Sequence, residues 1–239
     1  MNAVPPRCHA LVPCAGSGSR AGTPGPKQYQ FLAGQPLVRH TLAALVRVAR
    51  IERVLVVAAP GDLTLRVADA PWDWADCGGA TRAESVFNGL GRLRSDGVPD
   101  TDWVLVHDAA RCLVTPALVD ALIDACLPDA VGGLLALPLP DTLKSEVGGR
   151  AAATIERAGK WLAQTPQMFR LGTLHAALAA HAASGFAGIT DEASAIERAG
   201  LRPLLVRGSA QNIKVTWPED FALAEALLAA RVKQSPAME

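Results

Sequence analysis

Short runs of Val and Leu, spaced between longer stretches of helical period, restrict how this chain can fold more than any other feature. Residues 9–13, 53–57, 103–107 and 133–137 are apolar without polar alternation, the pattern of strands covered on both faces. Residues 37–48, 81–93, 116–126 and 221–232 carry apolar positions at helical spacing, and 176–183 and 192–199 add two shorter helices. Strands that alternate with helices predict βαβ units, hence an α/β fold with a mainly parallel sheet flanked by helices. The 239 residues are read as one domain, 1–239. Segment 138–166 interrupts the rhythm: it opens on Pro138-Leu139-Pro140, holds Gly148-Gly149, and shows little periodic core. Both an arm leaving the domain and an ordinary long surface loop fit it.

Composition then excludes whole classes. Hydrophobic residues make up 50% of the chain and charged residues 19%, which argues against disorder. The 23 basic and 23 acidic residues cancel, so neither nucleic acid nor a membrane surface is expected as partner. No apolar stretch approaches the roughly 20 residues of a bilayer span, and the first residues lack the apolar run of a signal peptide. Five scattered cysteines, Cys8, Cys14, Cys77, Cys112 and Cys126, form no C-x-x-C pair and read as reduced thiols of a cytoplasmic protein. The five histidines show no metal-ligand spacing.

The chemistry is concentrated after the first strand, in Cys14-Ala15-Gly16-Ser17-Gly18-Ser19-Arg20-Ala21-Gly22-Thr23-Pro24-Gly25-Pro26-Lys27. Glycines let backbone N–H groups approach an anion closely. Gly16-x-Gly18-x-x-Ala21 matches a dinucleotide fingerprint in letters only. Gly22, Pro24, Gly25 and Pro26 forbid the helix that fingerprint must open, and no acid lies about twenty residues on to hold a ribose. A Walker loop is excluded too, since Lys27 is preceded by Pro26 and followed by Gln28. The first six charged residues, Arg7, Arg20, Lys27, Arg39, Arg47 and Arg50, are all basic, and two of them sit inside the glycine loop. Two cations among free N–H groups suit a polyphosphate.

Continued through Pro26-Lys27-Gln28-Tyr29, the segment resembles the signature of the sugar-phosphate cytidylyltransferases, most of all those that use 2-C-methyl-D-erythritol 4-phosphate. Further pieces match in register. They are Gly78-Gly79-Ala80-Thr81-Arg82-Ala83-Glu84-Ser85-Val86, Val106-His107-Asp108-Ala109-Ala110-Arg111, Asp141-Thr142-x-Lys144, and Arg157 with Trp161. Thr165-Pro166-Gln167, Thr190-Asp191-Glu192-Ala193-Ser194 and Asn212-Ile213-Lys214-Val215-Thr216 complete the set. Cys14, Ala21, Ala80 and Cys112 depart from the usual pattern, none at a cation or the metal-binding carboxylate.

The resemblance implies a Rossmann-like nucleotidyltransferase sheet, CTP as co-substrate, Mg²⁺ as cofactor, and a homodimer clasped through the 138–166 arm. It implies cytidylyl transfer to 2-C-methyl-D-erythritol 4-phosphate in non-mevalonate isoprenoid biosynthesis. Arg20, Lys27 and Lys214 are the implied catalytic cations. Ala15, Gly16, Gly79, Ser85 and Asp108 are implied on the nucleotide, with Asp108 also on the metal. Arg111, Thr142, Arg157, Thr190 and Lys214 are implied on the acceptor sugar phosphate, Arg157 arriving from a second subunit. Read without the resemblance, Asp108 is a turn or cap aspartate, Lys214 an edge lysine of an apolar strand, and each arginine a surface ion pair. Thr81-x-x-Glu84 and Thr216-x-x-Glu219 read as capping boxes, and Asp191 as the cap of the helix near Glu192. Two alternatives stay open: a ribitol-5-phosphate cytidylyltransferase, and a CTP-binding regulator that has lost catalysis. Retention of every expected cation argues against the second.

Overall fold

The computed structural model describes residues 5–18, 21–23 and 25–234. Strands β1 (Cys8–Pro13), β4 (Ile51–Val57), β6 (Trp103–Val106) and β7 (Gly132–Pro138) lie where the apolar runs predict them. A small hairpin of β2 (Phe31–Leu32) and β3 (Gln35–Pro36) precedes α1 (Leu37–Val46), and β5 (Asp73–Ala75) precedes α2 (Arg82–Ser95). After α3 (Pro116–Cys126) and β7 come β8 (Leu143–Val147), β9 (Arg150–Ile155) and β10 (Trp161–Arg170). Helices α4 (Leu171–Ala179) and α5 (Glu192–Arg198), strand β11 (Leu204–Arg207) and helix α6 (Pro218–Gln234) complete the chain.

Seven strands form one sheet in the order β11-β7-β10-β6-β1-β4-β5. All neighbours pair in parallel except at β10, which runs antiparallel to both β6 and β7. Successive side chains of a strand point to opposite faces, and each face is closed by helices. Ala10, Val12, Trp103 and Leu105 pack with α1 and α3 on one side, while Leu11, Val104 and Val106 pack with α2, α4 and α5 on the other. A third cluster forms where α6 closes over Leu32, Leu37, Leu113 and Val215. Among the described residues no helix is long and apolar enough to cross a membrane.

Chain order reverses around β1: β4 follows it on one side, and the chain then returns to place β6 on the other. Open α/β sheets bind ligands at the carboxyl ends of strands flanking such a point. The segments leaving β1, β5 and β6 there are 14–18, 76–81 and 107–111.

Several expectations need correction. Residues 161–166 do not belong to the excursion, because β10 starts at Trp161 inside the sheet. Its polar Gln164, Thr165 and Gln167 hide the strand from pattern reading, yet all three are buried and hydrogen-bonded. Lys214 is not on a strand; residues 212–216 are an irregular segment held by Val215 N–H donating to Ala110 O (2.9 Å). The cap of α6 lies one residue later than expected. Asp220, not Glu219, reaches back to the amides of Thr216 and Trp217 (2.7 and 2.8 Å), and the Thr216 hydroxyl donates to Lys214 O. At α2, Thr81 caps the amide of Glu84 as expected, but the Glu84 carboxylate accepts from Ala80 rather than from the cap residue.

Candidate active site

The glycine segment after β1 is shaped by the side chain of Gln28. Its buried amide nitrogen donates to Cys14 O (2.9 Å) and Gly16 O (2.8 Å). In a trans peptide the N–H points opposite the C=O, so pinning these two carbonyls turns the amides of Ala15 and Ser17 away from Gln28. Gly18, at φ +66, completes the turn in a region that favours glycine. Gln28 sits in a single 3₁₀ turn with Lys27 and Tyr29. The Tyr29 hydroxyl donates to Asp62 Oδ2 (2.6 Å), which tethers the turn from its far side.

Facing this loop is the pair Gly78-Gly79. A Cβ at Gly78 would lie 2.3 Å from the Cβ of Ala15 and 2.6 Å from Ala58 O, so the two loops approach more closely than any side chain allows. Ser85 is buried behind them, accepting from Gly79 N–H (3.0 Å) and donating to Thr81 O (2.9 Å). Its hydroxyl therefore shapes the glycine pair.

Asp108 follows β6 and is buried. Arg82 Nε donates to its Oδ1 (2.7 Å), Lys214 Nζ contacts Oδ2 at 2.7 Å, and Arg111 Nε lies 3.8 Å from Oδ2. Burial alone would raise this carboxyl, but Arg82 and Lys214 outweigh it and hold the group well below the usual carboxylate range. It is ionised at neutral pH. Beside it, burial pushes His107 down to about 4 against the opposing pull of Asp108, so the imidazole is neutral. The Arg111 carbonyl can only accept, so Nε2 of His107 carries the proton (3.2 Å). Nδ1 then accepts from the Thr165 hydroxyl (3.1 Å), which itself accepts from the Asp108 amide (3.0 Å). The loop that carries Asp108 is thus fixed from β10.

Lys214 is positioned by its neighbours in sequence. Asn212 is buried and donates to Thr165 O (2.9 Å), and Lys27 Nζ donates to Val215 O (2.6 Å). Lys27 and Lys214, from opposite ends of the chain, meet at one cleft of about 470 Å³.

Of the residues expected at the site, Ala15, Gly16, Lys27, Gly79, Ser85, Asp108 and Lys214 all line this cleft. Arg20 lies outside the described residues. Arg111 is adjacent through Asp108, and it also donates to Asn212 O (2.7 Å). Thr142, Arg157 and Thr190 are exposed and do not line the cleft of their own chain. Arg157, just past β9, donates to Pro140 O at the base of the hairpin. Asp191 caps α5 in a capping box with Ser194, and the Thr190 amide donates to the same Ser194 hydroxyl.

Sequence reasoning missed Arg82, Glu192 and Gln28. Arg82 and Glu192 stood inside quoted motifs, but their pairing crosses 110 positions and leaves no local trace. Cys14 also lines the cleft, with a thiol that burial pushes up to about 12, which keeps it unreactive. Chemically, the cleft offers outward amides, two lysines, a guanidinium and one ionised carboxylate, a set suited to a polyphosphate with a metal.

Comparison with known proteins agrees with that chemistry. The family model described as 2-C-methyl-D-erythritol 4-phosphate cytidylyltransferase matches residues 8–230. The chain is 62% identical over 229 residues to the "Bifunctional enzyme IspD/IspF" of Albidiferax ferrireducens, across 95% of this chain and 54% of that protein. It therefore spans about half the length of that relative. It is 55% identical over 228 residues to the 2-C-methyl-D-erythritol 4-phosphate cytidylyltransferase of Chromobacterium violaceum, across 93% and 98% of the two chains. A crystal structure of a 4-diphosphocytidyl-2C-methyl-D-erythritol synthase superposes with a TM-score of 0.83 at 40% identity, over 95% of this chain and 100% of that one.

Proposed function

The chain belongs to the 2-C-methyl-D-erythritol 4-phosphate cytidylyltransferase family, and from that premise we propose how its own residues carry out the transfer. The reaction moves the cytidylyl group of CTP onto 2-C-methyl-D-erythritol 4-phosphate, giving 4-diphosphocytidyl-2-C-methyl-D-erythritol and pyrophosphate in isoprenoid biosynthesis. The observation that carries the mechanism is the convergence of the 14–18 loop, Lys27, Asp108 and Lys214 on one cleft.

CTP brings about four negative charges and the acceptor phosphate about two, so the reactants repel each other. The acceptor phosphate is already an anionic nucleophile and needs no general base. Attack of its oxygen on the α-phosphorus, in line with departure of pyrophosphate, needs orientation and charge stabilisation. The outward amides of the 14–18 loop, with Gly79 and Ser85 opposite, receive the nucleotide. Lys27, Lys214 and Arg20 stabilise charge on the α-phosphoryl oxygens. Arg111, Thr142, Thr190 and Lys214 hold the acceptor, with Arg157 supplied by the arm of a second copy.

Asp108 fits a Mg²⁺ that is held mainly by substrate. It is ionised and it is the sole acid among the described residues lining the cleft. No group of three or more His, Cys, Asp or Glu side chains among the described residues forms a cage. Mg²⁺ commonly binds through one or two carboxylates, phosphate oxygens and water. When bound, the ion would offset triphosphate charge; Lys214 would give up Oδ2 and turn to phosphate.

The β8–β9 hairpin supports a homodimer. Its strands pair with each other alone, Arg150–Ile155 is exposed throughout, and Val147 is 72% exposed on its own chain. An isolated two-stranded hairpin is marginal in water, so a second copy is its natural support. A cytoplasmic location accords with five free thiols.

The test is pyrophosphate release with CTP and Mg²⁺, comparing 2-C-methyl-D-erythritol 4-phosphate, ribitol 5-phosphate and no acceptor. Release is expected with the first acceptor only. Equal release with ribitol 5-phosphate, or none with either, would contradict the proposal.

A further inference from the structure

We infer that Arg82 is a positioning residue for the transfer, aimed at Asp108 by Glu192. The inference rests on the cytidylyl-transfer reading of the cleft and extends it to two residues outside the implied machinery.

Arg82 is the first residue of α2, behind the cap Thr81. A cation there opposes the helix dipole, which favours negative charge at an N-terminus. Helix electrostatics therefore does not explain it. What holds it is Glu192, the first residue of α5, whose side chain is 1% exposed. Arg82 Nη1 donates to Glu192 Oε1 (2.7 Å) and Nη2 to Oε2 (3.0 Å), a fork that fixes the plane of the guanidinium. With both outer nitrogens committed, the direction of Nε is set, and it donates to Asp108 Oδ1.

Glu192 is itself anchored. The α5 terminus is tied to β10 by Gln167, whose Oε1 accepts from Ala193 N–H (2.7 Å) and whose Nε2 donates to Asp191 Oδ2 (2.9 Å). Glu192 does not line the cleft, so it touches no substrate there. A buried ion pair is weak evidence for stability in itself, and this one ends on the one carboxylate among the described residues lining the cleft. The two oxygens of Asp108 thus have different partners: Oδ1 faces a planar group held from behind, whereas Oδ2 faces the single ammonium of Lys214. Arg82 and Glu192 keep Oδ1 fixed while Oδ2 exchanges partners during turnover.

The experiment is steady-state pyrophosphate release with CTP and 2-C-methyl-D-erythritol 4-phosphate for wild type, Glu192→Gln and Arg82→Lys, normalised to folded protein from thermal melts. Glu192→Gln keeps shape and removes the charge; Arg82→Lys keeps charge and removes the fork. Both are expected to lose about tenfold or more in kcat, with the CTP KM within about threefold of wild type, the split expected when alignment rather than binding is lost. Should Glu192→Gln fail to fold, Arg82→Lys decides alone. Turnover within about twofold of wild type in a folded variant, or a loss confined to the CTP KM, would overturn the inference. An inactive wild type would instead overturn the reading of the cleft.

Discussion

The cleft and the hairpin arm are built on opposite plans. Around the cleft, every loop is tied to another element: Gln28 to residues 14–18, Thr165 to Asp108, Asn212 to β10, and Arg82 to α5. In the arm, β8 and β9 bond to each other, with contacts such as Lys144 Nζ to Thr154 Oγ1 (2.5 Å) confined to the hairpin. A site that must stabilise charge at one phosphorus gains from groups fixed before substrate arrives. In the proposed homodimer the arm would be ordered by docking on a second copy, so its own chain need not brace it. The difference divides the implied residues into those preset by this chain and those that depend on a second one.

Removing one of the implied catalytic cations should have the largest effect. Lys27→Ala is expected to lower kcat by about 10²–10³, the range for loss of one transition-state donor, with a much smaller change in CTP KM. Arg20→Ala is expected to behave alike, and near-normal turnover in both would remove the lysine and arginine from the chemistry. Steady-state pyrophosphate release measures both.

Next comes the arm. Arg157→Ala is expected to cost about 10- to 100-fold in kcat/KM for the acceptor, as loss of a charged hydrogen bond does, and to leave CTP binding unchanged. If Arg157 acts across a dimer, mixing Lys27→Ala and Arg157→Ala proteins should restore about a quarter of wild-type activity through heterodimers, each with one complete site. No recovery on mixing would place Arg157 in its own chain's site, or in none.

A smaller effect tests the bracing itself. Gln28→Leu leaves the carbonyls of Cys14 and Gly16 without their donor, and is expected to cost about 1–3 kcal/mol in stability. The released loop should raise the CTP Kd about tenfold, read by titration calorimetry. An unchanged affinity would mean that the loop holds its shape without Gln28.

The smallest effect is expected on the arm's own chain. Val147, 72% exposed, should tolerate Ser within about 0.5 kcal/mol in urea melts, whereas Leu42→Ala in the core should cost about 2–5 kcal/mol. Sedimentation should still show Val147→Ser weakening self-association. A large loss of chain stability would mean that the hairpin packs on its own body.

Much of the sheet was legible because β1, β4, β6 and β7 are buried on both faces and so read as unbroken apolar runs. The central strand β10 was not legible. Gln164, Thr165 and Gln167 look like loop residues, but they are buried because the 107–111, 190–194 and 209–212 segments satisfy their polar groups. Edge strands β5 and β11 are too short or too exposed to carry a pattern. At the site, Gly16 and Lys27 stand out through the glycine-rich spacing after β1, whereas Gly79 and Asp108 were legible only through the family resemblance, since Asp108 alone reads as a turn or cap aspartate. Arg82, Glu192 and Gln28 act through partners distant in sequence or through carbonyl groups, which composition cannot reveal. The α6 cap was misplaced by one residue because Glu219 and Asp220 are adjacent acids, and geometry alone chooses between them.

The central claim is that cations from separate stretches of chain act on one phosphoryl group. Its most direct measurement is a double-mutant cycle on kcat with Lys27→Ala, Lys214→Ala and the pair. Groups that stabilise the same transition state lose their effects non-additively, so the pair should fall no more than about tenfold below the worse single variant. Fully multiplicative losses would show that Lys27 and Lys214 act independently of each other rather than as one unit on one phosphoryl group, and would contradict the account.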